Sequence, residues 1–282
     1  MKVNAICMVK NEADIIIEAL ENALSFCNKI YVFDNGSTDG TSELLDDFIK
    51  DNPSVILTER SDEVFRNELR NRVYNRYHQE FEHEDWWYIL DADELLASDP
   101  RPMLRMAAEN NCDSMRIWQA QFYFTDKDMS VYDQEDHNLP TSERRRYYRI
   151  NWREPRFFKN NPDMNWDESI TGKVPPFCGR FYYRSPICRH YAQRTPEQIE
   201  QRVKIRIANP YSFLHLKKGD ALAQASWLKR SEDLFYYHND GEFEFPMSDK
   251  ISYFVREAGY WLQWRFKWMT NHTKNLMKTM MA

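Results

Sequence analysis

Apolar and polar positions alternate in blocks through the first hundred residues. VNAICMV (3–9) is a short and almost wholly apolar run, which predicts a strand buried on both faces. NEADIIIEALENALSFC (11–27) changes to a three- and four-residue apolar spacing and predicts a helix. The alternation then repeats. KIYVFD (29–34), VILTE (55–59) and WWYILD (86–91) read as strands. TSELLDDFIKD (41–51) and residues 63–81 read as the helices between them. Strands alternating with helices predict βαβ units, hence an α/β fold with a mostly parallel sheet flanked by helices. Such sheets bind ligands outside the carboxyl ends of their strands.

After residue 112 the rhythm changes. DSMRIWQAQFYF (113–124) predicts a long strand, residues 125–143 a mobile polar loop, and RRYYRI and PRFFK two short strands. TPEQIEQRVKIRIAN (195–209) predicts a helix with Thr195 as its cap, Pro196 in the first turn and Gln198 as the capping partner. Residues 251–281 predict a last helix, in which Tyr260, Trp261, Trp264, Phe266 and Trp268 interleave with Arg265, Lys267, Lys274 and Lys278. That mixture suits either peripheral contact with a membrane or packing on the chain's own domain or a partner.

Composition narrows the function classes. The chain has 282 residues and a 42% hydrophobic content, enough for a substantial core. Its net charge of −6 argues against a nucleic-acid partner and for a small-molecule substrate. The 15% aromatic content suits either a heavy core or a groove for flat ligands. Five cysteines with no CxxC indicate neither a disulfide framework nor a zinc site. With no apolar run approaching the length of a spanning helix, these features lead to an expected cytoplasmic protein, at most peripheral on the inner face of a membrane.

The polar clusters fall at the predicted strand ends. Lys10-Asn11-Glu12 follows the first strand, Asp34 to Asp39 the second, and Asp91-Ala92-Asp93-Glu94 the fourth. Two carboxylates two residues apart at a strand end can converge on one divalent cation, which prefers oxygen ligands and accepts phosphates as the others. Arg66 and Arg70, four apart in the predicted third helix, would share a face.

MVKNEADIIIEAL, VFDNGSTDGT and WYILDADELL together resemble the three leading motifs of family-2 glycosyltransferases with the GT-A fold. The resemblance is close over residues 2–96 and looser to about residue 191. It implies a GT-A glycosyltransferase domain over 1–194, with a nucleotide-binding half (1–96) and an acceptor-binding half (97–194), followed by a helical C-terminal region (195–282). It implies a nucleotide site built from Val9, Asn11, Glu12, Asp34, Asn35, Asp39, Arg66, Arg70, Asp91 and Ala92, with Asp34 accepting from the base. An arginine of the third helix would face the nucleotide, and Arg66, Arg70 and Arg72 all remain open for that place. Asp93, Asp91 and His190 would hold Mn2+ or Mg2+, and Arg189 and Arg194 would steady the diphosphate. The acceptor's proton would go to Glu168 or Asp167. The implied reaction is inverting transfer from a UDP-linked sugar to a hydroxyl of a saccharide or lipid-linked acceptor. Three rivals are a phosphatase using Asp91 as nucleophile, a sugar-nucleotide pyrophosphorylase and a non-catalytic binding module. Leu95 departs from the phosphatase motif, and MVKNEAD lacks the pyrophosphorylase's glycine-rich loop.

Overall fold

The structure is a computed structural model, which describes residues 1–167, 169, 172–212, 228–244, 255, 258, 259 and 262. The four strands expected in residues 1–96 are present in the expected order. Strands β1 (Val3–Val9), β2 (Lys29–Asp34), β3 (Val55–Arg60) and β4 (Trp86–Asp91) lie side by side as β3-β2-β1-β4, all parallel. Their side chains alternate between two cores. Ala5, Cys7, Val9, Ile30, Val32, Trp86, Tyr88 and Leu90 enter the core on one face of the sheet. Ile6, Met8, Tyr31, Phe33, Trp87 and Ile89 enter the core on the other. Burial on both faces is why these strands read as continuous apolar runs.

Helix α1 (Ile16–Leu24) buries Ile16, Ala19, Leu20 and Ala23, the stripe that its spacing predicts. Helix α2 (Thr41–Asp51) matches its predicted bounds. Helix α3 (Leu69–Tyr77) is shorter than the expected 63–81. Its start is delayed because Asn35 Nδ2 donates to the carbonyls of Ser61 (3.1 Å) and Glu63 (2.7 Å), holding that stretch out of helical geometry. Arg66 therefore precedes the helix and shares no helical face with Arg70.

Beyond β4, the short β5 (Glu94–Leu96) and helix α4 (Arg101–Glu109) lead into β6 (Ser114–Tyr123). Residues 125–143, expected as a loop, contain helix α5 (Asp126–Val131) and most of α6 (Thr141–Arg144). Thr125 caps α5 through a reciprocal pair: Asp128 N–H donates to its hydroxyl (3.3 Å), and Thr125 N–H donates to the Asp128 carboxylate (2.7 Å). The two expected short strands are one long strand, β7 (Tyr147–Lys159), which pairs antiparallel with both β4 and β6. Strand β8 (Ile187–His190) lies between β6 and β5. Helix α7 (Pro196–Ala208) carries the expected cap, with Gln198 N–H donating to Thr195 Oγ1 at 3.1 Å. The two-residue strand β9 (Phe235–Tyr236) pairs with β7. The expected C-terminal helix falls almost wholly outside the described residues. Among them, no helix is long and apolar enough to cross a membrane, and all five cysteines are unpaired.

Candidate active site

The carboxyl ends of β1 and β4 open into a cavity of about 320 Å3. Val9, Asn11, Glu12, Arg70, Asp91, Ala92 and Asp93 all line it, together with Lys10 and Lys173. Its far wall is α7, which contributes Gln198, Gln201, Arg202, Ile205, Arg206 and Asn209. The parallel register places Met8 opposite Asp91, so the two chain ends turn out of the sheet at one level.

Charge in this cavity is dense and paired. Asp91 Oδ1 accepts from Arg70 at 2.6 Å and its Oδ2 from Arg156 at 2.7 Å. Burial pushes this carboxyl up, but Arg156 and Arg70 outweigh it and hold Asp91 well below the usual carboxylate range. Arg156, buried in β7, also spans Glu94 with bonds of 2.6 and 3.0 Å, so Glu94 supports the arginine behind the site. Asp93 is almost fully buried. Its Oδ2 accepts from Arg202 at 2.6 Å and stands 3.3 Å from His190 Nε2. Again burial raises the carboxyl, while His190 and Arg202 hold it well below its ordinary value. Glu12 differs. Burial raises it, Asp93 adds to the rise, and the pull of Arg194 does not cancel them.

Local structure explains these positions. The antiparallel pairing of β5 with β8 sets His190 opposite Glu94 and so next to Asp93. Tyr191 N–H donates to the Asp93 carbonyl at 2.9 Å. Strand β5 is pinned from α1, where Asn22 exchanges two hydrogen bonds of 2.8 and 3.0 Å with the backbone of Leu96. Asn11 sits at φ 56°, in the left-handed region, which turns the chain sharply after β1. Its N–H donates to Ser37 Oγ (3.0 Å), and its side-chain oxygen accepts from Thr38 N–H (2.7 Å).

The turn after β2 holds the site from beneath. Asp34 is fully buried, and its Oδ1 accepts from the backbone (3.0 Å) and hydroxyl (2.7 Å) of Ser37. Its Oδ2 accepts from Ser42 Oγ. Asp39 accepts from Ala13 N–H at 3.1 Å and from Thr41 N–H at 3.0 Å. Asn35 ties the turn to residues 61–63 and accepts on its carbonyl from Lys10 Nζ at 2.8 Å. These three residues brace the loop that carries Asn11 and Glu12 and do not line the cavity.

Of the three arginines left open, Arg70 faces the cavity, whereas Arg72 pairs with Glu59 (3.1 Å) and Glu63 (2.8 Å). Arg66 lies outside the lining. Arg194 is fully buried and bonds Asp14, Glu12 and the Tyr191 carbonyl. Arg189 rests against the Tyr237 ring. Neither of the last two reaches the cavity. Asp167 is exposed and its carboxylate accepts from Ser169 N–H and Oγ, both at 2.8 Å, while Glu168 lies outside the described residues. Sequence reasoning missed Arg156, Lys173, Arg202 and Arg206. For α7 a signal existed, since Gln198, Arg202, Ile205, Arg206 and Asn209 recur at the spacing of one helical face.

Among the described residues, no three carboxylate, imidazole or thiol side chains gather in one metal-binding group. The residues still fit a small divalent cation, because such ions keep water and substrate phosphates and take only one or two protein carboxylates. Ligands at adjacent corners of an octahedral ion stand roughly 3 Å apart, close to the 3.3 Å between Asp93 Oδ2 and His190 Nε2.

The model of the glycosyl transferase family 2 matches residues 5–184, well over half of the chain. The chain belongs to that family. It is therefore a glycosyltransferase, and the phosphatase and pyrophosphorylase readings fall. No protein of curated function matches it in sequence. Among solved structures, it is similar to residues 1–349 of TarS from S. aureus, with 11% identity over 83% of this chain and 77% of that one, at a TM-score of 0.37. It is also similar to the mannosyltransferase PcManGT from Pyrobaculum calidifontis, solved in complex with GDP-Man and Mn2+, with 15% identity over 98% and 87% of the two chains and a TM-score of 0.40. Both superpositions are loose.

Proposed function

We propose that this glycosyltransferase moves a sugar from a UDP-linked donor to a hydroxyl of a saccharide or lipid-linked glycan acceptor, with inversion at the anomeric carbon. The observation that carries the reading is one cavity, at the strand ends of a family-2 domain, lined by Asp91, Asp93 and Glu12 together with Lys10, Arg70, Lys173, Arg202 and Arg206. Carboxylates and basic side chains lining one cavity of this size suit a diphosphate bound with a divalent metal ion. Asp93 and His190 would hold the cation, Mn2+ or Mg2+, with Asp91 beside them. When bound, the cation supplies charge neutralisation to the leaving diphosphate.

The chain's own residues do the rest. Val9 and Ala92 line the cavity where the nucleoside would lie, and Arg70 fixes the orientation of Asp91 beside it. Asn11 sets the path of the loop. A carboxylate, Glu168 or Asp167, takes the acceptor proton as the acceptor oxygen bonds to the anomeric carbon and the bond to the diphosphate breaks. For Asp167, that role falls to Oδ2, since Oδ1 accepts both bonds from Ser169. In this reading the enzyme works in the cytoplasm, where nucleotide sugars are substrates, and residues 251–281 bring it to a membrane-borne acceptor.

The test is transfer and donor hydrolysis across a panel of nucleotide sugars with Mn2+, comparing the native protein with Asp93→Asn and Glu168→Gln. Turnover with a UDP-sugar, lost by at least about 100-fold in both variants, supports the reading. Absence of turnover with every donor overturns it.

A further inference from the structure

Asp93 is the carboxylate assigned to the cation, yet its Oδ2 is already occupied by a cation of the chain itself. Arg202 Nη1 donates to it at 2.6 Å and stands 3.9 Å from Glu12 Oε1, so one guanidinium lies between two buried acids. This same oxygen faces His190 Nε2. The guanidinium thus takes one acceptor site of the oxygen that would also face a metal ion shared with His190. With the guanidinium there, a divalent ion meets a positive charge at short range in a poorly solvated pocket, which weakens its binding.

We infer that Arg202 and a divalent cation compete for Asp93, and that the tie between α7 and Asp93 is released when the cation binds. The inference rests on the proposed reading that Asp93 holds a divalent cation. A buried carboxylate needs a counter-charge at all times. Arg202 supplies it in the closed state and the metal ion in the bound state, with His190 beside Asp93 throughout. Arg202 is suited to leaving. Its side chain is one-fifth exposed, it stands on the cavity face of a helix, and Arg206 lies one turn further on. Arg202, together with burial, lowers Arg206 to about 10. A diphosphate arriving with the metal ion offers both arginines a new anion, so the cation that leaves the carboxylate becomes available to the leaving group. α7 lies outside the stretch matched by the family model, so the latch is a feature of this chain's own extension.

Binding of Mn2+ alone, without nucleotide, is read from the free-ion signal by electron paramagnetic resonance. Arg202→Met keeps the aliphatic stem and removes the charge. A latch closed about nine-tenths of the time weakens binding about tenfold, so this variant is expected to bind Mn2+ about tenfold more tightly than the native protein. Asp93→Asn is expected to abolish binding. In the native protein, hydrogen exchange of 196–208 is expected to rise on adding Mn2+, and this measurement stands even if the arginine variant misfolds. If Arg202→Met binds Mn2+ no more tightly while Asp93→Asn abolishes binding, or if exchange in 196–208 stays unchanged at saturating Mn2+, the competition is overturned and the metal at Asp93 survives. Mn2+ binding that is unaffected by Asp93→Asn overturns both.

Discussion

Arg194 shows how much of this site depends on single buried charges. Its guanidinium is out of contact with water and satisfies Asp14, Glu12 and a backbone carbonyl at once. Removing one member of such a pair strands the others, so Arg194→Ala should lose about 3–5 kcal/mol of stability in urea unfolding. Arg194→Lys should recover only part of this, because an ammonium cannot reproduce the two-oxygen contact with Asp14. Asp93 predicts a pH effect. Its carboxyl sits well below the ordinary 3.8 in the fold. A lowered acid favours the fold above its unfolded value, and that stability is lost as pH falls toward the folded value. The melting temperature of the native protein should therefore fall steeply below about pH 4. The curve of Asp93→Asn should be flatter there, although lower at neutral pH. Glu12, raised by burial, acts in the opposite sense: its contribution is greatest at low pH and fades as pH rises through the folded value.

At the scale of elements, the stretch Asp34–Thr41 combines two jobs that its sequence shows unequally. Its turn chemistry was legible: Gly36 (φ +74°) and Gly40 (φ +96°) both occupy the left-handed region. They differ in their surroundings. A Cβ on Gly36 would approach the Asp62 Cα at 3.2 Å, whereas one on Gly40 would meet nothing within 4 Å. Gly40→Ala should cost about 1–2 kcal/mol from backbone strain alone, and Gly36→Ala distinctly more, as read by chemical denaturation. What the sequence did not reveal is the direction of the carboxylates. Asp34 lies at a strand end, as expected, but turns inward to Ser37 and Ser42, and Asp39, although exposed, accepts from Ala13 and Thr41. Whether a short acid serves its own turn or a ligand depends on hydroxyls at Ser37, Thr41 and Ser42, all compatible with either use. The strands were legible because burial on both faces leaves an unbroken apolar run. The helix boundaries at 63–68 were not, because the constraint on them comes from Asn35, about thirty residues away in sequence. The cap at Thr125 was readable as a Thr-x-x-Asp pattern, yet the polarity around it masked a short helix.

For the whole molecule, the cavity joins residues 8–12 to residues 198–209, so ligand binding should be visible in global unfolding. Ligand held at one hundred times its dissociation constant adds about 2.7 kcal/mol. For a chain of this size that corresponds to a rise in melting temperature of roughly 4–5 °C. Scanning with Mn2+ and a UDP-sugar together should give it, and excess chelator should reverse the part due to the ion. The same closure of the site by distant residues bears on how the protein is made. Asp14 and Arg194 are 180 positions apart, and Glu12 and Arg194 are 182 apart. At ordinary rates of translation, roughly 10–35 s pass between synthesis of the acids and synthesis of their arginine. Through that interval Glu12 and Asp14 lack their buried partner. The proposed donor site is therefore incomplete in any nascent chain too short to include residue 194 and the helix that follows it.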